Sequence, residues 1–290
     1  MKIKKTAAEK AFDIANALFM TLLMIIMLYP LWFVAVASVS NPNQFIQHKG
    51  ILLLPTGLSG AAYKAILDYK MLFISYGNTI GYVLIGTTLN LFMTMLGAYG
   101  LSRRNVLLRD PIMMLVTFTM FFNGGLIPNY LLVKSLGIYN TRAALILPGA
   151  ISVMNLIIMR SSFQAVPETL EESARIDGAN DFTILWKVIL PLCKPVMAVM
   201  VLYYGVSHWN AWFNAMIYLR NRELYPLQLI LREILISNST ESLALGNDSE
   251  QIAETIKYAT IMVATVPILC VYPFLQKYFV KGVMVGAIKG

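Results

Sequence analysis

Six stretches of this 290-residue chain contain no Asp, Glu, Lys or Arg: residues 14–47, 71–102, 111–133, 143–159, 195–219 and 258–276. A helix needs roughly 20 apolar residues to cross about 30 Å of hydrocarbon. Inside hydrocarbon every backbone N–H and C=O must be satisfied within the protein, which leaves helices or closed barrels. A barrel would alternate apolar and polar residues over short strands, and these runs do not alternate. They predict an all-α integral membrane fold with six transmembrane helices, at about residues 14–40, 72–102, 111–133, 142–162, 195–219 and 257–277. The composition agrees, with 58% hydrophobic and only 13% charged residues. Residues 1–290 read as a single transmembrane domain.

The net charge of +8 could suggest a nucleic-acid partner, but its placement points to a membrane. With six spans and the N-terminus inside, fourteen of the 23 Lys and Arg residues fall in the cytoplasmic segments, among them Arg103, Arg104, Arg109, Arg160, Arg175 and Lys187. That bias predicts both termini in the cytoplasm and membrane lipid as the surroundings. The opening MKIKK could begin a signal peptide. The apolar run behind it is too long, and no small-residue cleavage pattern follows, so the first span is expected to be retained.

Several chemistries are disfavoured. The two cysteines, Cys193 and Cys270, lack metal-ligand spacing and read as small packing residues. Two histidines are too few for a metal cluster, and no metal site is expected. No Gly-Lys dipeptide occurs, so the chain has no phosphate-cradling P-loop. The spans hold no charged pair and no nucleophile–His pair, which argues against an intramembrane enzyme; no catalytic residue is assigned. An ion-coupled secondary transporter would place ionisable groups within its spans, where His208 stands as the exception.

Between the fourth and fifth runs lies a segment of different character. Glu168, Glu171, Glu172, Asp177 and Asp181 concentrate five of the fifteen acids in fourteen residues. Pro167 suits a helix start, with the acids at its positive end. Glu171 and Arg175 stand i,i+4 in the favourable order. Gly178 suits a left-handed helix cap. Asn180 or Asp181 can cap a second short helix, expected to stop before Pro191. Residues 166–194 therefore read as a rigid cytoplasmic helix–turn–helix, which is a docking surface rather than a solvated loop.

Glu172-Ser173-Ala174, three residues, Gly178, nine residues, then Val188-Ile189-Leu190-Pro191 resembles the "EAA" loop of ABC-importer permeases: E-A-A, three residues, Gly, nine residues, I-x-L-P. Ser173 and Val188 depart from the pattern with residues of similar size. IPNYLLVKSLGIYNT, FQAVPETLEESARIDGAN and QKYFVKGVMVGAIKG are similar to carbohydrate-uptake permeases of the maltose-transporter type, in particular to the second permease partner. FFNGGLIPNYLLV and the segment beginning HWNAWFNAMIYLRNRELY are closer to the oligosaccharide and polysaccharide-fragment branch.

The resemblance implies a type I ABC-importer permease in a bacterial cytoplasmic membrane. Its partners would be a homologous second permease, two ATPase subunits and an extracellular or periplasmic sugar-binding protein. ATP and Mg would be bound by the ATPases, leaving this chain no cofactor and no enzymatic activity of its own. Glu171, Glu172, Ser173, Ala174, Arg175, Asp177 and Gly178 would meet the ATPase. Leu245, Gly246, Asn247 and Asp248 would form the tip of an external loop reaching into the binding protein, and residues 278–290 a cytoplasmic tail between the ATPases. A non-sugar solute is the alternative cargo.

For the substrate path, Tyr203, Ser207, Asn210 and Asn214 recur at spacings of four, three and four, one face of a helix. Trp209 and Trp212 lie beside them, and Asn123 is a further candidate. Amides can hydrogen-bond sugar hydroxyls and aromatic faces can pack on sugar C–H surfaces. The same amides can equally serve as interhelical glue, so two readings stand. The topology itself is testable. A cysteine introduced at Asn247 is expected to react with a membrane-impermeant thiol reagent on sealed cells, and one at Asp177 only after permeabilisation. Labelling of the Asp177 site in sealed cells would refute the orientation.

Overall fold

The computed structural model describes residues 6–241, 255–270 and 273. In chain order its helices are α1 (Ala7–Ser38), α2 (Pro42–Gln47), α3 (Ala61–Leu67), α4 (Lys70–Ser102), α5 (Arg109–Phe121), α6 (Leu126–Ser135), α7 (Ala143–Gly149), α8 (Val153–Gln164), α9 (Glu168–Ile176), α10 (Asp181–Leu192), α11 (Lys194–Trp209), α12 (Phe213–Tyr218), α13 (Leu227–Glu241) and α14 (Thr255–Cys270). Among the described residues the one extended pairing is an isolated bridge between Ser40 and Leu58. The external loop tip at Leu245–Asp248 and the tail at 278–290 lie outside the described residues.

The helices are less continuous than the apolar runs. Among the described residues only α1 and α4 are unbroken helices long and apolar enough to cross a membrane; α14 is a shorter apolar helix. The third run is broken between α5 and α6 with a 117° bend, and the fourth between α7 and α8 with a 50° bend. Gly125, at φ +88, accounts for the first break, and Pro148-Gly149 marks the second. The fifth run corrects the expectation most. Helix α11 ends at Trp209 and α12 begins at Phe213, so Asn214 does not continue the helical face of Tyr203, Ser207 and Asn210. No Gly or Pro causes this. Trp212, Ala215 and Leu219 pack with Leu145 and Leu229, and the chain turns to bury them. The helix predicted to stop before Pro191 instead runs through it. Residues Leu185–Ile189 widen into a π-turn, a geometry that absorbs the proline's missing N–H.

The chain divides into two compact units, residues 1–69 with 231–266 and residues 70–230 with 267–290. In the first, the end of α1 packs Val36 and Ala37 on Leu52, flanked by Phe33, Phe45 and Tyr258. Ser40 Oγ donates to Val36 O at 2.8 Å and accepts from Thr56 N–H at 3.3 Å. Most of α1 faces outward, with Met27 at 71% exposure. That is expected of a helix meant for lipid or another subunit.

The second unit is built on α4, which packs mainly against α11 and α8. Its buried side is unusually polar: Ser75, Asn78, Thr79, Thr87, Asn90, Thr94 and Ser102. Asn78, Thr79 and Asn90 among them bond backbone outside α4. Asn90 Nδ2 donates to Gly149 O at 2.6 Å and Ala150 O at 2.9 Å, the carbonyls freed where α7 gives way to α8. With its amide so fixed, Asn90 Oδ1 accepts from His208 Nε2 at 2.6 Å, so that nitrogen carries the proton. Tyr204 OH accepts from Ser152 N–H at 3.1 Å and shares a hydrogen bond with Thr94 Oγ1 at 2.7 Å. At the other end of α4, Asn78 Nδ2 reaches Tyr225 O at 3.2 Å and Tyr82 OH reaches Leu224 O at 2.7 Å.

The close approach of α4 and α11 depends on Gly86, where an added Cβ would lie 2.5 Å from His208 Nε2. At Gly81 a Cβ would meet nothing within 4 Å. Gly86→Ala is therefore expected to destabilise by about 1–3 kcal/mol through overpacking, and Gly81→Ala to be neutral or stabilising by up to about 1 kcal/mol. Thermal unfolding of the detergent-solubilised protein distinguishes them. Equal midpoints would show that the α4–α11 contact is not tight at His208.

Candidate functional site

The acidic insert folds as its local chemistry dictates. Helix α9 starts after Pro167, carries Glu168 and Glu171 in its first turn and Arg175 in its last, matching the helix dipole. It ends in a full Schellman cap: Gly178 at φ +80 donates to Arg175 O at 3.0 Å, and Ala179 N–H donates to Ala174 O at 2.9 Å. Space is open around Gly178, so the left-handed backbone, not crowding, selects glycine there. Asn180 Oδ1 then caps α10, accepting from Thr183 N–H at 2.8 Å.

The two sides of α9 differ sharply. Thr169, Glu172, Ser173 and Ile176 form an exposed stripe at helical spacing, with Ile176 86% exposed and Leu170 beside it at 44%. Asp177 and Gly178 continue the exposed surface. On the opposite side Ala174 packs against the core formed by Met159, Phe163, Ile184 and their neighbours. Glu171 is buried there at 8% exposure. Of the residues expected to face an ATPase, Glu172, Ser173, Arg175, Asp177 and Gly178 are exposed, whereas Glu171 and Ala174 turn into the chain's own body.

Glu171 Oε2 meets Arg103 Nη1 in an ion pair whose side chains are only 10% and 11% exposed. Arg103, the residue after α4, is fully engaged. Its Nε donates to Ser102 Oγ at 2.9 Å, its Nη2 donates to Phe163 O at 3.1 Å, and its guanidinium lies 5.0 Å over the Tyr99 ring. Tyr99 OH donates to Glu171 Oε1 at 3.4 Å, and Arg175 Nη2 reaches the same oxygen at 3.4 Å. Arg175 also bonds Asp181 Oδ1 at 2.5 Å. Hydrogen bonding to Asp181 raises the Arg175 pKa further, with Glu171 adding to it, so this charge persists at any physiological pH. Arg104 pairs with Glu168 at 2.9 Å, both well exposed.

Arg103 was legible in the sequence only as a charge ending a span. The signals that could have revealed its role are the paired acids Glu171-Glu172, which point about 100° apart on a helix, and the adjacent Arg103-Arg104.

The substrate-path candidates scatter. Tyr203, Ser207 and Asn210 are exposed on one side of α11, while Asn214 is exposed on α12. Trp209 is half-buried, pairs edge-on with Tyr76 at 6.3 Å, and leaves its Nε1 without a partner. Trp212 packs on Phe213 at 5.5 Å. Asn123 is a turn former: its Oδ1 accepts from Gly125 N–H at 2.9 Å and closes the break before α6. Among the described residues no group of three or more His, Cys, Asp or Glu could hold a metal ion.

The chain is similar to the Polygalacturonan/rhamnogalacturonan transport system permease protein YtcP of Bacillus subtilis (strain 168), 42% identical over 285 residues, 97% of this chain and 99% of that protein. Protein LplC of the same organism is 40% identical over 289 residues, 98% and 97% of the two chains. The solved structure described as a bacterial ABC transporter involved in the import of the acidic polysaccharide alginate contains a chain that superposes with a TM-score of 0.86 at 33% identity, covering 96% of this chain and all of that one. Residues 90–285, which include Arg103, α9 and α11, match the family described as "Binding-protein-dependent transport system inner membrane component", and the chain belongs to that family.

Proposed function

We propose that this chain is one of two different permease subunits of an ABC importer that carries a carbohydrate, an oligosaccharide or polysaccharide fragment, across the cytoplasmic membrane. The carbohydrate assignment rests on relatives named for polygalacturonan, rhamnogalacturonan and alginate. The proposed assembly adds a homologous permease, two ATPase subunits that bind ATP and Mg, and an extracellular or periplasmic sugar-binding protein. The chain crosses the membrane six times with both ends inside: α1, α4, α5–α6, α7–α8, α11–α12 and the segment containing α14. The charge bias supports this orientation.

The observation that carries the reading is the two-sided build of α9. A short helix whose inner side is fixed to the body, and whose outer side offers Ile176 and Leu170 among Glu172, Glu168 and Asp177, has the make-up of a docking element: apolar anchors ringed by charge. ATP-driven closure of the ATPases would move this helix and its counterpart on the second permease together. The spans would then switch between inward-open and outward-open by rigid-body movement. Tyr203, Ser207 and Asn210 form the proposed sugar-facing side of α11, with Asn214 a separate contact. Residues 245–248 are proposed to reach the binding protein, and residues 278–290 to lie between the ATPases.

Two measurements test this. Glu172→Lys reverses a charge that docking would desolvate, where loss of a partner costs about 2–5 kcal/mol against roughly 0–1 kcal/mol for a surface ion pair. The variant is expected to lose the ATPase on co-purification and to lose transport; full retention of both would reduce α9 to an ordinary loop. Asn210→Leu is expected to cut sugar uptake while the assembled complex still hydrolyses ATP. Loss of assembly with normal uptake per surviving complex would instead mark Asn210 as interhelical glue.

A further inference from the structure

Helix α9 could be held to the membrane-spanning body by apolar packing alone, as Ala174 is. The protein instead buries a charge pair. Burying two ions costs several kcal/mol each unless geometry and further hydrogen bonds compensate, and here they do. Arg103 meets a carboxylate, a hydroxyl, a carbonyl and an aromatic face, while Glu171 meets Arg103, Tyr99 and Arg175. Three elements converge on this one guanidinium. It follows the last residue of α4, it satisfies a carbonyl in the last turn of α8, where helices leave C=O groups open, and it binds the first turn of α9. The chain leaves α9 through a Pro167 entry and a Gly178 exit, so a load applied to its outer stripe reaches the body chiefly through its inner side.

We infer that Arg103 and Glu171 are positioning residues of energy coupling, an internal strut that makes α4 move with α9, rather than a contact with the ATPase. The inference rests on the reading of α9 as the ATPase-docking helix. Through Asn90 and His208 the same α4 grips α11, so displacement of its cytoplasmic end is delivered to the helix carrying the proposed sugar face. Glu171 and Glu172, adjacent in sequence, divide the work: Glu172 meets the motor and Glu171 fixes the lever.

The test uses the complete importer reconstituted in lipid, with Glu171→Gln as the near-isosteric variant that removes the charge and replaces one acceptor oxygen with an NH2 donor. The ATPase should co-purify at the wild-type level. Stimulation of hydrolysis by the sugar-loaded binding protein and sugar uptake should both fall roughly tenfold or more, as expected when one partner of a buried pair is neutralised. A second variant replaces Cys193 and Cys270 with Ser and introduces Arg103→Cys with Glu171→Cys. Joining the new cysteines with a reducible bifunctional thiol reagent should restore most of the coupling, and reduction should remove it again.

Undiminished coupling in Glu171→Gln would overturn the inference. So would release of the ATPase in that variant, which would make Glu171 a docking residue. A cross-link that forms without restoring coupling, or that cannot form, would also refute the strut. Failure of the docking reading itself is separate: it shows as Glu172→Lys retaining both ATPase and transport, whatever Glu171→Gln does.

Discussion

Wherever an apolar helix breaks inside a membrane protein, it releases carbonyl and amide groups that hydrocarbon cannot satisfy. The second unit of this protein is organised around meeting that demand. Asn90 supplies both its amide hydrogens to the carbonyls of Gly149 and Ala150, and Tyr204 takes the N–H of Ser152. At the end of α8, Arg103 adds a donor to Phe163 O, which also accepts from Val166 N–H. The partners come from α4, its flanking residue and α11, so the polar groups that close the breaks also decide which helices lie together. The buried polar side of α4 thus includes three backbone partners, Asn78, Thr79 and Asn90, laid along one helix.

The same logic links fold to function. A broken helix secured by side-chain hydrogen bonds can rearrange by exchanging a few partners, whereas a continuous one resists bending along its whole length. The end of α4 at Arg103 is built the opposite way. The charge pair of Arg103 and Glu171 is enclosed and multiply bonded, which favours one arrangement over many. The proposed importer, driven by partner ATPases, would need both: stiffness where force enters and exchangeable contacts where the path opens.

The family resemblance marked the acidic insert as the contact with the ATPases, and the three-dimensional arrangement refines what each residue there can contribute. One acid of the Glu171-Glu172 pair is spent inside the chain and the other left outside. Ile176 is an ordinary apolar residue in sequence. Its exposure beside Glu172 and Asp177 gives it meaning only once the helix has a defined inner side.

By itself the sequence determined the class of solvent, the family and the local shape of the insert. These rest on short-range physics. Runs without charge decide for hydrocarbon, and a glycine at a left-handed cap ends a helix. Tertiary structure alone decided that Glu171 faces inward, that the fifth run turns at Asn210 so that Asn214 leaves the face of Tyr203 and Ser207, and that the helix through Pro191 continues by way of a π-turn. Each depends on partners distant in the chain: Arg103 for Glu171, Leu145 and Leu229 for the segment after Trp209, and the core around Ile184 and Leu185 for α10. Periodicity tells which residues share a face of a helix. It cannot tell which neighbour that face will meet, because burial is settled only when the other helices have arrived.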